Sequence, residues 1–551
     1  MKGLTGFVAL TALLGALAFA GSASATTFCV PGYFDACPDN GTNMLSLGSG
    51  PGPKLESAMA IDGSDGIPDT VYLDSGTYAD ADSFNVSGTD DLTLIGNGRD
   101  KTFLTSGAST NSYVLDLVTG NFRHVKMKDL AIIVPDSFPN GPGYGSAIQS
   151  RGDDFESVDV INDNPGGSSA SSAFANVTQG GVFDGVRIFG RNGARFSNGI
   201  SSFNCGTGQL RISQTEISDT RFGISTDCTD MPVTVERSRF SGVDFAISVA
   251  NGAHLDASNI LIESGDSVPI DVYNGEGLGA TVVNVDQATV VATGDPTMPA
   301  IRAQVADSSA ATDSVAVNVR NSIITGFDNT WQVNAPESNT RGDASLSLDY
   351  SSFEPVGNGS GDIAVNQGTG NISGSPGFAS LTDYHLSTAS PAVDAGDPNA
   401  TDPALDLEGN GRPIDGNRDG VAVRDMGAYE LNPPPPSCPA DPSVCLPRIS
   451  KVKVKYRARK GGALRFRLSR EAKVLAVFTP VPKKAKGKKR RTVRVFRKAK
   501  AGGNTFKLGR KMLKPGRYRV AVRAIAADGD ESNLVVRKLR VKPPRRAAGR
   551  A

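Results

Sequence analysis

Two stretches, LRISQTEISDTRFGIS (Leu210–Ser225) and VTVERSRFSGVDFAIS (Val233–Ser248), lie over one another without a gap at an offset of 23 residues. Each opens with an apolar residue, has another two positions on and a third five beyond that: Leu210, Ile212 and Ile217, then Val233, Val235 and Phe240. The template returns at Val125/Met127/Ile132, Val283/Val285/Val290, Val317/Val319/Ile324 and Leu346/Leu348/Phe353. Weaker copies stand at Phe155/Val160, Phe183/Ile188 and Leu255/Ile260. A second short motif keeps it company, as SAIQ at 146, FGIS at 222, FAIS at 245 and PAIR at 299. Alternation with a period of two is a strand signal. Repeats of this length without amphipathic helices between them predict a parallel β-solenoid, in which the alternating apolar residues face a continuous internal stack. An antiparallel sandwich also has short strands at even spacing, but two motifs recurring in fixed order favour the solenoid.

The cysteines supply a separate check. Cys205 lies seven residues before Ile212 and Cys228 seven before Val235, so they hold the same register position in adjacent coils. Stacked strands are about 4.8 Å apart and a disulfide wants Cα atoms about 4.4–6.8 Å apart, so a coil-to-coil Cys205–Cys228 bond follows. Cys29–Cys37 and Cys438–Cys445 would close small local loops.

The pattern over residues 45–375 resembles the right-handed parallel β-helix family, the fold of pectate lyases. Its opening, KLESAMAIDGSDGIPDTVYLDSGTY, is similar to that family's entry, with a capping helix near Leu55–Ile61 before the first strand. The fold class expected is therefore all-β: a right-handed parallel β-helix of about 11 coils, followed by a small antiparallel β-sandwich. The resemblance implies a groove that recognises acidic polysaccharide, with Ca²⁺ and an Arg or Lys base where a member is a lyase. Hydrolases of the group use clustered Asp residues and Gly-His-Gly, which His124, His254 and His385 do not provide.

Candidate site residues come from columns of the repeat. One position past the second apolar residue, successive coils are expected to stack Lys128, Glu156, Asp184, Ser213, Glu236, Asp256, Asp286, Arg320 and Asp349. Glu236, Asp256 and Asp286 would repel at strand spacing unless a cation, Ca²⁺ for such oxygen donors, relieved them. Solvated acids splayed by loop variation are the alternative. Three positions on, Asp159, Arg187, Glu216 and Arg239 alternate in sign as a salt-bridge ladder would. Arg187, Arg211 and Arg239 are the first candidates for a catalytic base. Whether the chain is an enzyme stays open here; the rival to a lyase is a non-enzymatic surface spacer or adhesin. Neither a Ser-His-Asp or Cys-His nucleophile nor a His/Cys metal set is evident.

After the repeats come DYHLSTASPAVDAGDPN (383–399) and DLEGNGRPIDGNRDGVAVRDMGAYE (406–430). Their His-Leu, Ser-Pro-Ala, Asp-Ala-Gly and closing Gly-Ala-Tyr-Glu resemble the choice-of-anchor Q segment that follows β-helices in bacterial surface proteins. Asp415, Asn417 and Asp419 alternate around Gly420 like half of an EF-hand loop, with Asp425 one place short of the usual final ligand. They would hold Ca²⁺, or else form Asx-turns that cap the last coil and protect its open edge.

The formal net charge of zero conceals a segregation. Up to Pro447 there are 21 Lys and Arg against 53 Asp and Glu, a balance of −32; from Arg448 the counts are 36 against 4, or +32. The predicted order is a signal peptide (1–25), the β-helix (26–375), the choice-of-anchor Q-like segment (376–431) and a proline-rich linker (432–447). A basic sandwich (448–542) resembling a fibronectin type III or immunoglobulin-like fold and a disordered tail (543–551) complete it. LKPGRYRVAVRAIAADGDESN (513–533) carries that last resemblance. The leader implies export, and with it cysteine pairing. Arg-rich strands with few aromatic rings point to an anionic cell-wall polymer or acidic glycan rather than specific nucleic acid. No transmembrane segment and no sortase-type motif is read, so the expectation is a secreted monomer held electrostatically at the cell envelope.

Overall fold

The computed structural model describes residues 25–543, except 33, 39–41, 44–49, 61–65, 82, 87–89, 108–112, 119–123, 137–145, 166–171, 204, 276–278, 295, 307–311, 338–341, 434–446, 459, 482–490 and 526–531. The leader before residue 25, the Cys438–Cys445 pair, most of the linker and the tail therefore lie outside the described residues. The chain divides into two compact units, with the boundary between Asn432 and Pro433.

The first unit is a parallel β-helix. One face is an 11-stranded parallel sheet with one strand per coil, from Phe84–Asn85 to Gly357–Ser360. The other strands form the remaining walls, likewise paired in parallel from coil to coil. Inside, Met127, Phe155, Phe183, Ile212, Val235, Ala257, Val285, Val319 and Leu348 stack as one buried column. Phe155, Phe174 and Phe183 meet at ring centroids of 4.8–5.0 Å. The helix Pro51–Ala60 buries Leu55, Ala58 and Met59 against the first coils. Cys205 and Cys228 are bonded across adjacent coils with Cα atoms 5.4 Å apart, and Cys29 and Cys37 are bonded locally.

Every coil from the third to the eleventh of these rungs turns at one left-handed residue: Asp129, Ser157, Gly185, Gln214, Arg237, Asn259, Gln287, Asn321 and Tyr350, with φ between 47° and 65°. That conformation is costly for residues other than glycine. The turn is offset by hydrogen bonding, because from Gly185 onward the N–H of each donates to a carbonyl of the next coil, as from Gln214 to Glu236 (3.0 Å) and from Asn259 to Asp286 (3.1 Å).

This register corrects one reading of the repeat. Thr234 pairs with Asp256 and Glu236 with Ser258, while Ser258 pairs with Asp286. The inward residues of that coil are Leu255, Ala257 and Ile262, and Ile260 sits at the turn. An alanine at an inward position shifted the sequence reading by two residues. Glu236, Asp256 and Asp286 are therefore not one column.

A second correction concerns residues 376–431. They do not cover the edge of the last coil but lie back along the outside of the helix. Tyr384, Leu407, Ala428 and Tyr429 pack on Leu261 and Val291, and Leu386, Ala392, Val393 and Met426 pack on Ile323. The outward column explains the choice of place. It reads Asp159, Arg187, Glu216 and Arg239, then changes to Leu261, Thr289 and Ile323. Asp159 is buried in its pair with Arg187, the other charged residues of the column are at least partly exposed, and the apolar ones are covered by the returning chain.

The second unit has antiparallel sheets of three strands (Ile449–Arg457, Gly461–Leu468, Gly502–Leu508) and four strands (Val493–Ala499, Ala472–Pro480, Gly516–Ile525, Val535–Val541). They share one core that includes Val474, Phe478, Phe466, Val520 and Val522. Among the described residues no helix is long and apolar enough to cross a membrane.

Candidate functional site

The returning segment and the helix wall enclose a cleft of about 470 Å³ lined by Glu236, Arg237, Ser258, Asn259 and Asp286, with residues 402–405 as the opposite rim. Glu236 and Asp286, the carboxylates of the cleft, immediately precede the left-handed turns at Arg237 and Gln287, with Ser258 of the intervening coil between them. Glu236 and Asp286 thus share a cleft, but they stand two coils apart, about 10 Å at strand spacing. Asp286 is half-buried, and burial raises its pKa against the hydrogen bond from the Asn321 amide (2.8 Å) and the nearby arginines. Asp256 lies on the same sheet, two residues before Ser258 and outside the cleft lining, where it accepts from Asn284 (2.7 Å) and meets the His254 ring nitrogen at 3.0 Å.

The three arginine candidates are separated and engaged. Arg187 forms a two-pronged pair with the buried carboxylate of Asp159, its Nε at 2.8 Å. Arg211 lies two strands' width from Asp256 on the same outward column, Arg211–Thr234–Asp256, and donates to the Gln209 side chain at 2.8 and 3.0 Å. Arg239 reaches the returning segment: Glu408 is 3.8 Å away and the Tyr429 ring 5.6 Å. None is poised over Glu236 or Asp286 as a base over a bound uronate would be.

A cluster that the sequence reading passed over surrounds Arg239. His385 Nδ1 is 2.5 Å from Asp383 and its Nε2 3.3 Å from Glu408, while its ring lies 4.1 Å from Tyr429. Burial alone would lower the His385 pKa; hydrogen bonds with Asp383 and Glu408 outweigh it and raise the value. His385 entered the sequence argument only through its lack of flanking glycines. Asp383 is two residues away, but Glu408 and Tyr429 are more than 20 positions on, and only the fold brings those two to the ring.

The expected calcium loop folds as turns. The Asp415 carboxylate accepts from Gly420 N–H (3.0 Å), Asn417 from Asp419 (2.8 Å) and Asp419 from Val421 (2.8 Å). Asp394 anchors the loop by accepting from Asn417 N–H at 2.7 Å. Asp425 is fully buried away from this exposed turn and takes N–H groups of Asp394 (2.7 Å) and Leu431 (2.5 Å). Asp415, Asn417, Asp419 and Asp425 therefore do not converge as ligands of one ion. Among the described residues no three His, Cys, Asp or Glu side chains are grouped to hold a metal. Alternate acids before a glycine look the same in sequence whether their oxygens face an ion or their own backbone.

The segment is fixed to the helix by a buried polar core. Arg412 donates to Gly427 O (2.8 Å), to Asp425 O (3.2 Å) and to the Gln287 side chain, and Arg320 is paired with Asp397. Asn321 accepts from Asp397 N–H at 2.6 Å, and Thr289 Oγ1 accepts from Ala428 N–H at 2.9 Å. Burial and the neighbouring Glu430 push the Asp425 carboxyl up to about 7.

No family model and no curated protein matches the chain. Solved structures that resemble it include ORF18 of Geobacillus virus E2, 11% identical, covering 87% of this chain and 70% of that one with a TM-score of 0.27. A mutant of the PL6 family alginate lyase AlyGC is 10% identical and covers 57% of this chain and 74% of the lyase with a TM-score of 0.23. At these scores neither speaks to the activity of this chain.

Proposed function

We propose that this is an exported, envelope-associated β-helix protein that recognises polysaccharide without cleaving it. The observation that carries this reading is the pairing of the arginines: Arg187, Arg211 and Arg239 all have partners away from the Glu236–Asp286 cleft. The cleft offers hydrogen-bond acceptors and one guanidinium to sugar hydroxyls. Its carboxylates repel a uronate unless a cation such as Ca²⁺ bridges them. Contact with an anionic polymer, a cell-wall phosphopolymer or acidic glycan, therefore falls to the basic second unit, which we read as a fibronectin-like module holding the acidic rod in place. The choice-of-anchor Q resemblance of 383–430 fits a protein of the cell surface. A spacer or adhesin is the second reading, favoured by the lack of an aromatic ring lining the cleft.

Incubating the protein with uronate polymers, with and without Ca²⁺, and following unsaturated product in the ultraviolet is the direct test. No product is expected, while affinity electrophoresis is expected to detect a glycan whose binding weakens in Glu236→Ala. Unsaturated product would overturn the recognition-only reading. A chain truncated after Pro447 is expected to lose sedimentation with envelopes, and equal sedimentation would remove the anchoring role.

A further inference from the structure

The outer face of the four-stranded basic sheet carries like charges directly opposite one another. Lys473 faces Lys498, Arg519 faces Lys538 and Arg517 faces Arg540 across neighbouring strands. Such pairs destabilise a sheet, and the four strands contain no Asp or Glu to relieve them. Between these pairs lies an apolar band: Leu475 opposite Phe496, and Val477 opposite Ala521, which faces Val536. Phe496 is 55% exposed, and Leu534, just before the strand Val535–Val541, is 59% exposed. Neighbouring Arg523 and Arg494 border the band on its own rungs.

Charge complementarity commits this face to an anionic partner, and the band narrows the choice. A soluble polyanion needs cations alone and gains nothing from an exposed phenylalanine set among aliphatic side chains. At a membrane surface, rings and aliphatic groups enter the acyl boundary while Lys and Arg side chains stay with the headgroups. We propose that this face docks on an anionic phospholipid surface, inserting Phe496 between headgroups that neutralise the flanking like-charge pairs. The inference deepens the reading of the basic unit as the module that holds the chain at the envelope, and rests on it.

The test uses full-length protein with vesicles of phosphatidylglycerol and phosphatidylcholine in equal parts, vesicles of phosphatidylcholine alone, and polyphosphate as a soluble polyanion. Sedimentation with the mixed vesicles and not with the neutral ones is expected. Phe496→Ser is expected to weaken vesicle binding by roughly fivefold to tenfold, the loss of a partly exposed ring from an apolar environment, and to leave polyphosphate binding unchanged. Arg519→Glu is expected to weaken both. If Phe496→Ser binds the mixed vesicles as the parent does, lipid insertion is wrong and the polyanion reading alone remains. If the parent binds neither vesicles nor polyphosphate, the anchoring reading fails with it.

Discussion

The guanidinium of Arg412 lies 3.3 Å from the carboxylate of Glu430, and neither side chain has any exposure to solvent. Arg412 belongs to the returning segment but spends its other bonds on Gln287 of the helix wall and on two carbonyls. Removing one partner of a buried pair leaves the other charge uncompensated. Arg412→Leu is therefore expected to destabilise the docked segment by about 3–5 kcal/mol. Limited proteolysis is expected to cut within 376–431 before it cuts the coils; a protease pattern like that of the parent would refute this.

The docking is expected to be tighter in acid. The raised folded pKa of Asp425, about 7, means that the folded state holds a proton there which the unfolded chain releases near its ordinary value. This group costs stability as pH rises from about 4, and the cost levels off above about 7. His385 acts in the same sense: its folded pKa is raised, so its contribution is full below about 6.5 and fades as pH climbs through the folded value. Hydrogen-exchange protection of 383–430 is expected to fall between pH 5 and pH 8 by an amount that Asp425→Asn reduces. Protection that rises over that range would contradict the assignment.

The coil-to-coil disulfide closes a sequence separation of 23 residues. Loop-entropy reasoning gives about 3 kcal/mol for a loop of that size. Replacing both Cys205 and Cys228 by Ser is expected to lower the denaturant midpoint, and a reducing agent is expected to do the same to the parent protein but not to the double variant beyond the effect of the Cys29–Cys37 bond.

Phe183 is one corner of a mutual three-ring contact with Phe155 and Phe174. Phe183→Ala is expected to cost about 3–5 kcal/mol, because rigid coils above and below prevent collapse of the cavity. Phe183→Leu should recover a large part of the loss. Equal stability of the two variants, measured by thermal unfolding, would show that the rings carry no packing energy.

The solenoid was legible because its inward residues recur at fixed offsets and are large. Where one is Ala257, the apolar pattern loses a rung, and the acidic column built on it goes astray with it. The left-handed turn position was hidden for another reason: its occupants, from Asp129 to Tyr350, share a backbone angle and no side-chain chemistry. The path of residues 376–431 had a signal that went unused, the change of the outward column from Arg239 to Leu261. The Asp415 loop had none, since its hydrogen bonds to its own backbone and a set of ion contacts draw on the same residues.

That change of outward chemistry makes the rod addressable. Coils before Arg239 carry charged side chains in the outward column, and the apolar contacts of the returning chain fall on later coils. Coils from Leu261 to Ile323 receive it in a fixed order, through Leu261, then Gln287, Thr289 and Val291, then Arg320, Asn321 and Ile323. Length and docking position are thereby separate variables in this fold: one set by how many repeats there are, the other by which coils carry outward side chains that fit the returning segment.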